Sequence, residues 1–170
     1  MMKDPRAWRN LGCNSLQTGQ FQEAKNHFCQ AVTLAPGLLG EILVDYETAI
    51  ASQPKEVGPR LSLIGFSICQ GDMELAEMEL EEALEVNPQH VAIYNLLGKI
   101  LIKQGRIDEV IILQERSLTH AVKDVSLIEI LAQAYLEKNL SDEAIKFYNE
   151  VLTIRPGDKQ ILRILGELFT

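Results

Sequence analysis

Apolar positions recur along the chain in steps of three and four, the spacing that gathers side chains onto one face of a helix. Ala24, Phe28 and Ala31 are one such set, following Trp8, Leu11 and Gly12 on a preceding helix and a turn at Thr18-Gly19-Gln20. Alternating runs of β-branched residues are missing, so no strand is predicted. The helices themselves recur. Leu63, Leu97, Leu131 and Leu165 stand 34 residues apart, and Ala49, Ala83, Ser117 and Val151 keep the same interval. Gly71, Gly105 and Asn139 mark one break in each period; Pro54, Pro88 and Pro156 mark another, with Val122 at the omitted beat. A period of this size predicts a helical hairpin stacked on copies of itself. Within a hairpin, the small residues Gly12 and Ala24 allow close approach, while Phe28 and Trp8 fill the space between hairpins.

The arrangement Trp8, Leu11-Gly12, Ala24, Phe28, Ala31 and Pro36 resembles the tetratricopeptide repeat (TPR), a helix-turn-helix unit. The resemblance covers nearly the whole chain as a single array. Repeat 1 spans 5–38, repeat 2 57–90, repeat 3 91–124 and repeat 4 125–158; a terminal helix occupies 159–169. It implies an all-α, right-handed superhelical solenoid of about ten helices. Two departures stand out. Repeat 3 carries Val110, Gln114, Ser117 and Val122 where the pattern expects Ala, an aromatic residue, Ala and Pro, which predicts looser packing. One extra helix is inserted after repeat 1, over 38–54, with Leu38, Leu39, Ile42, Leu43, Tyr46, Ala49 and Ile50 on one face. The pattern leaves three placements open for it: filling the gap between repeats 1 and 2, swinging outward, or exchanging with a second molecule.

The resemblance also implies a function. First helices of such repeats line a concave groove that binds protein or peptide partners. Carried over by position, the groove residues are Arg9, Asn10 and Cys13 in repeat 1, and Leu61, Ser62, Gly65, Ile68 and Cys69 in repeat 2. Repeat 3 gives Asn95, Lys99, Ile102 and Lys103; repeat 4 gives Glu129, Gln133, Leu136 and Glu137; the terminal helix gives Arg163 and Glu167. The family's clamp for acidic chaperone tails is mostly absent, because Cys13 stands where it needs Asn, and Gly58, Ser62, Ala92 and Leu96 occupy its other positions. Arg9, Lys99, Lys103 and Arg163 suit a carboxylate, and Leu61, Ile68 and Ile102 an apolar anchor, so a peptide of mixed character is expected.

Charge and composition narrow the partners. A net charge of −8 argues against nucleic acid or an anionic membrane. No apolar run approaches the ~20 residues of a membrane span, and the first residues hold no signal-peptide stretch. Three cysteines at spacings that match no zinc or redox motif read as free thiols, which places the chain in the cytoplasm. The acidic run from Asp72 to Glu85 contains no Lys or Arg and reads as a solvated second-helix face. His27, His90 and His120 have no partner at metal-ligand spacing, so neither metal nor cofactor is expected. Asn139-Leu140-Ser141 has the form of a glycosylation sequon, but with no secretory signal it reads as chance. No phosphate loop or Ser-His-Asp signature occurs. The reading is therefore a non-catalytic interaction scaffold. Its rivals are a regulatory arm of a larger enzyme, such as a glycosyltransferase or kinase, and a self-association module.

Self-association has its own sequence signal. Ile161, Leu162, Ile164, Leu165, Leu168 and Phe169 span roughly 160° of the last helix, wider than the ~100° that one-sided packing needs. The expectation is that this end, or the inserted helix, meets a second copy, or that the array continues beyond it.

Overall fold

The computed structural model describes residues 4–120, 122 and 124–168. Among them are ten α-helices, one short 3-10 turn and no strand. The helices are α1 (Pro5–Gln17), α2 (Phe21–Leu34), α3 (Leu39–Ser52), α4 (Val57–Gln70) and α5 (Met73–Val86). They continue as α6 (Val91–Lys103), α7 (Ile107–Thr119), α8 (Val125–Glu137), α9 (Ser141–Ile154) and α10 (Lys159–Leu168). Four antiparallel hairpins result: α1/α2, α4/α5, α6/α7 and α8/α9.

Each hairpin turns at a residue in the left-handed backbone region, where a Cβ is disfavoured. These are Gly19, Gly71, Gly105 and Asn139, with φ of 74°, 81°, 71° and 59°. The recurring Gly/Gly/Asn beat is thus a backbone requirement. The recurring Leu beat is a packing one: Leu63, Leu97, Leu131 and Leu165 are all buried. Asp4, Asp72 and Asp124 cap α1, α5 and α8 by accepting backbone amides of the first turn.

The helices gather into two compact units, Met1–Asn87 and Pro88–Thr170. In the first, Phe28 lies fully buried against Gly12, where an added Cβ would meet its ring at 2.5 Å. Phe28, Tyr46 and Phe66, from α2, α3 and α4, form an aromatic trio with centroids 5.0, 5.7 and 6.4 Å apart. Of the three placements open to the inserted helix, the structure shows the first: α3 packs on both α1 and α4. Ile42 and Tyr46 are completely buried beneath it. The Tyr46 hydroxyl is satisfied through a chain in which Ser62 Oγ, 3.0 Å away, donates in turn to the Phe21 carbonyl at 2.8 Å.

In the second unit, α6 and α7 approach each other less closely than the helices of the other hairpins do. This is the looseness expected of the degenerate repeat 3. Ser117, in place of Ala, is fully buried and returns its hydroxyl to the Gln114 carbonyl at 2.8 Å. Gln114 borders an apolar recess of about 620 Å³ with Leu118, Ile128, Leu131, Tyr135 and Phe147. The last two stack, with centroids 5.4 Å apart and planes 8° from parallel. On α10, Ile161 and Leu165 are buried while Leu162 stays 49% exposed; the predicted Phe169 lies outside the described residues.

Candidate partner-binding surface

The first helices of the first unit do not present a bare face. Arg9 Nε and Nη2 donate to both oxygens of Asp45 on α3, at 2.6 and 2.8 Å, and Nη1 pairs with Glu41. This two-pronged carboxylate contact fixes α3 to α1 as well as neutralising the guanidinium. Cys13 lies on the same side. Burial pushes its thiol up to about 11, and the hydrogen bond it gives to Asp45 adds to the shift. Asn10 is exposed; Leu61 and Ile68 on α4 are half-buried. Ser62, placed in the groove by position, is buried and engaged with Tyr46.

The acidic run proves less uniformly solvated than its composition suggests. Glu79 is 8% exposed, with its oxygen 2.7 Å from Arg60 Nη1, which also pairs with Glu82 at 2.7 Å. Burial raises the Glu79 carboxyl above its ordinary range despite the Arg60 hydrogen bond. Arg60, the one charged residue of α4, is the sequence signal for this pair. Periodicity along one helix does not reveal it, because the two residues belong to different helices.

In the second unit, α6, α8 and α10 enclose a recess of about 610 Å³. Lys99, Gln133, Leu136 and Glu137 border it on α6 and α8, and Gln160 and Ile164 on α10. Lys99 and Gln133 thus come together with the neighbours that positional reasoning gave them. Asn95, Ile102, Lys103 and Arg163 do not line it. Lys103 is exposed and Ile102 half-buried. Asn95 Nδ2 approaches Asp124 Oδ1 at 3.4 Å, while its own Oδ1 is buried with no hydrogen-bond partner. Arg163 pairs with Glu167 one turn on, at 2.8 Å, and Glu129, at the recess wall, with Arg155 at 2.6 Å. Burial works against the Asp124 carboxylate, but hydrogen bonds from Ser126, Asn95 and the Leu127 amide hold it below the usual range.

The histidines are scattered. His27 Nδ1 lies 3.2 Å from Ser15 Oγ with its ring 5.6 Å from Trp8; His90 opens α6 with Nδ1 buried and unbonded; His120 is exposed after α7. Among the described residues, no three His, Cys, Asp or Glu side chains gather where they would hold a metal ion. Nor is any described helix long and apolar enough to cross a membrane.

Paired helices at this period and left-handed turn residues on the beat define a repeat protein of the helical-hairpin class. Two tetratricopeptide-repeat profiles match, one over residues 67–128 and the other over 5–38 and 126–158. The chain belongs to the tetratricopeptide repeat family. Solved structures share the fold. A thermophilic TPR protein of Thermus thermophilus aligns with a TM-score of 0.60 at 21% identity, over 97% of this chain and 98% of its own. The pilF protein of Pseudomonas aeruginosa aligns with a TM-score of 0.61 at 18% identity, over 96% of this chain and 67% of its own. In sequence, the chain is 26% identical over 173 residues to human protein O-mannosyl-transferase TMTC1. That match takes in 95% of this chain but only 20% of the human protein's length.

Proposed function

We propose that this chain is an interaction scaffold that holds a protein or peptide segment against the first-helix face of its second unit. The observation that carries this reading is the recess bordered by α6, α8 and α10. It offers a cation at Lys99, amides at Gln133 and Gln160, and apolar surface at Leu136 and Ile164. Such a wall suits an extended segment with an acidic group beside an aliphatic side chain. A segment of that size buries less than a standard interface of about 1,600 Å². Micromolar affinity, about −8 kcal/mol, follows. The test is selection of a displayed random-peptide library on the immobilised full chain, then calorimetry and hydrogen exchange with the enriched peptides. Lys99→Glu weakens them at least tenfold and leaves helicity intact. Peptides that protect none of α6, α8 and α10, or that bind the Lys99→Glu variant unchanged, overturn the assignment.

A second reading is an interaction arm of a larger transferase, favoured by the match to about a fifth of human protein O-mannosyl-transferase TMTC1. Sequencing the complete transcript decides it: an adjoining catalytic domain supports the arm, and a coding region limited to these repeats removes it.

A further inference from the structure

Cys29 lies on α2 and Cys69 on α4, so they belong to different repeats of the first unit. The two helices pack directly on each other. Both cysteines border one shallow recess, together with Trp8, Lys25, His27 and Gln30. Each thiol lies close enough to influence the other: Cys69 adds to the upward shift of Cys29. Cys69 is exposed, with the Gln70 amide 3.8 Å from its sulfur, and Cys29 is half-buried behind it. Cys13 is elsewhere, in the recess that α1 shares with α3, beside Asp45. Of the three pairings that three cysteines allow, the packing therefore prepares one.

We propose that Cys29 and Cys69 form a dithiol that oxidises to a disulfide, fastening the second helix of repeat 1 to the first helix of repeat 2. Two thiols that border one recess from directly packed helices are placed to close a sulfur–sulfur bond of about 2.05 Å. With hydrogen peroxide as oxidant, the exposed Cys69 thiolate attacks one peroxide oxygen. The O–O bond breaks, the departing hydroxide takes up the proton that the Cys69 thiol had released and leaves as water, and Cys69 becomes a sulfenic acid. The Cys29 sulfur then attacks the Cys69 sulfur; the S–O bond breaks, the S–S bond forms, and a second water carries away the Cys29 proton. Two electrons pass from the thiol pair to the peroxide. Burial, with the Cys69 contact adding to it, raises the Cys29 thiol above its ordinary range. Cys69, the more exposed of the two, meets the oxidant first, and the half-buried Cys29 resolves the sulfenic acid, giving up its proton as it attacks. The bridge ties together two segments far apart in the chain and restricts the unfolded state.

The full chain is treated with a small excess of hydrogen peroxide, alkylated with iodoacetamide, digested without reductant and mapped by mass spectrometry. The expected result is one linked peptide pair, Cys29 with Cys69, with Cys13 recovered alkylated. The melting temperature rises by several degrees, and dithiothreitol reverses both changes. Cys13→Ser keeps the bridge; Cys69→Ser, at an exposed position, keeps the fold by circular dichroism and loses the bridge. Full alkylation of Cys29 and Cys69 after treatment overturns the proposal. So does separate overoxidation of the two, or a bridge that includes Cys13 in the folded chain.

Discussion

At the scale of single residues, the same amino acid serves opposite ends at different places in this chain. Gly12 is where it is because the Phe28 ring leaves no room: three ring carbons lie within 2.5–2.8 Å of any Cβ. Phe28 is fully buried and held by Tyr46 and Phe66, so it has nowhere to retreat. Gly40, inside α3, has nothing within 4 Å. Gly12→Ala is expected to lose about 2 kcal/mol through overpacking. Gly40→Ala is expected to gain roughly 0.5–1 kcal/mol from helix propensity and a less flexible unfolded chain. Thermal melts of the two variants should move in opposite directions, the first downward by roughly 4–8 °C. Equal shifts would remove the close-approach explanation. This pair also marks the limit of what composition tells. Gly12 was legible because a ring stands at the offset that the repeat pattern assigns to it. Asn139 was legible because it kept the beat of Gly71 and Gly105, and its positive φ explains why. Nothing local in the sequence separates Gly40 from them.

At the scale of elements, the four hairpins were readable and the place of α3 was not. A hairpin declares itself through periodic burial along one stretch of chain. The position of α3 depends on Arg9 meeting Asp45 and on Tyr46 entering between Phe28 and Phe66, contacts between helices that no repeat register anticipates. The same limit hid Arg60 and Glu79, whose side chains are 14% and 10% exposed. A buried pair of this kind is most informative when broken. Arg60→Ala leaves Glu79 without its partner and should cost about 3 kcal/mol at neutral pH. The sign with pH follows from the direction of the shift. Glu79 already has a raised folded-state value, and removing Arg60 removes a contribution that lowered it. The ionised carboxylate is then disfavoured further in the folded state. Stability is retained below the unfolded value of about 4.3 and lost as pH rises through the folded one. The deficit of Arg60→Ala relative to the parent, by urea titration, should therefore shrink on going from pH 7 to pH 4. A deficit independent of pH would show that Glu79 is not the group left stranded. The candidate surface obeys the same division of legibility. Positional reasoning brought Lys99 and Gln133 to one recess. It also turned Arg9 and Cys13 toward the first-helix side, where the carboxylates of α3 meet them. Periodicity tells which face a residue takes, and the insertion decides what else lies on that face.

At the scale of the molecule, repeat arrays need not unfold as one piece, because stability is distributed over neighbouring hairpins. The two units differ in how they are held. The first has the aromatic trio, the Arg9–Asp45 contact and the buried Arg60–Glu79 pair. The second contains the looser α6–α7 contact and an apolar recess where repeat 3 lacks its aromatic residue. Trp8, the single tryptophan, sits in the first unit with its ring 5.6 Å from His27, so its fluorescence reports that unit alone. Helical circular dichroism reports both. In a denaturant titration, the ellipticity should begin to fall before the Trp8 signal, and the Trp8 midpoint should lie at the higher concentration. Filling the missing beat by Gln114→Phe should narrow the gap by raising the ellipticity midpoint and leaving the Trp8 midpoint in place. Coincident transitions in the parent chain, with equal calorimetric and van't Hoff enthalpies, would show a single cooperative block in which the weaker hairpin draws its stability from the rest.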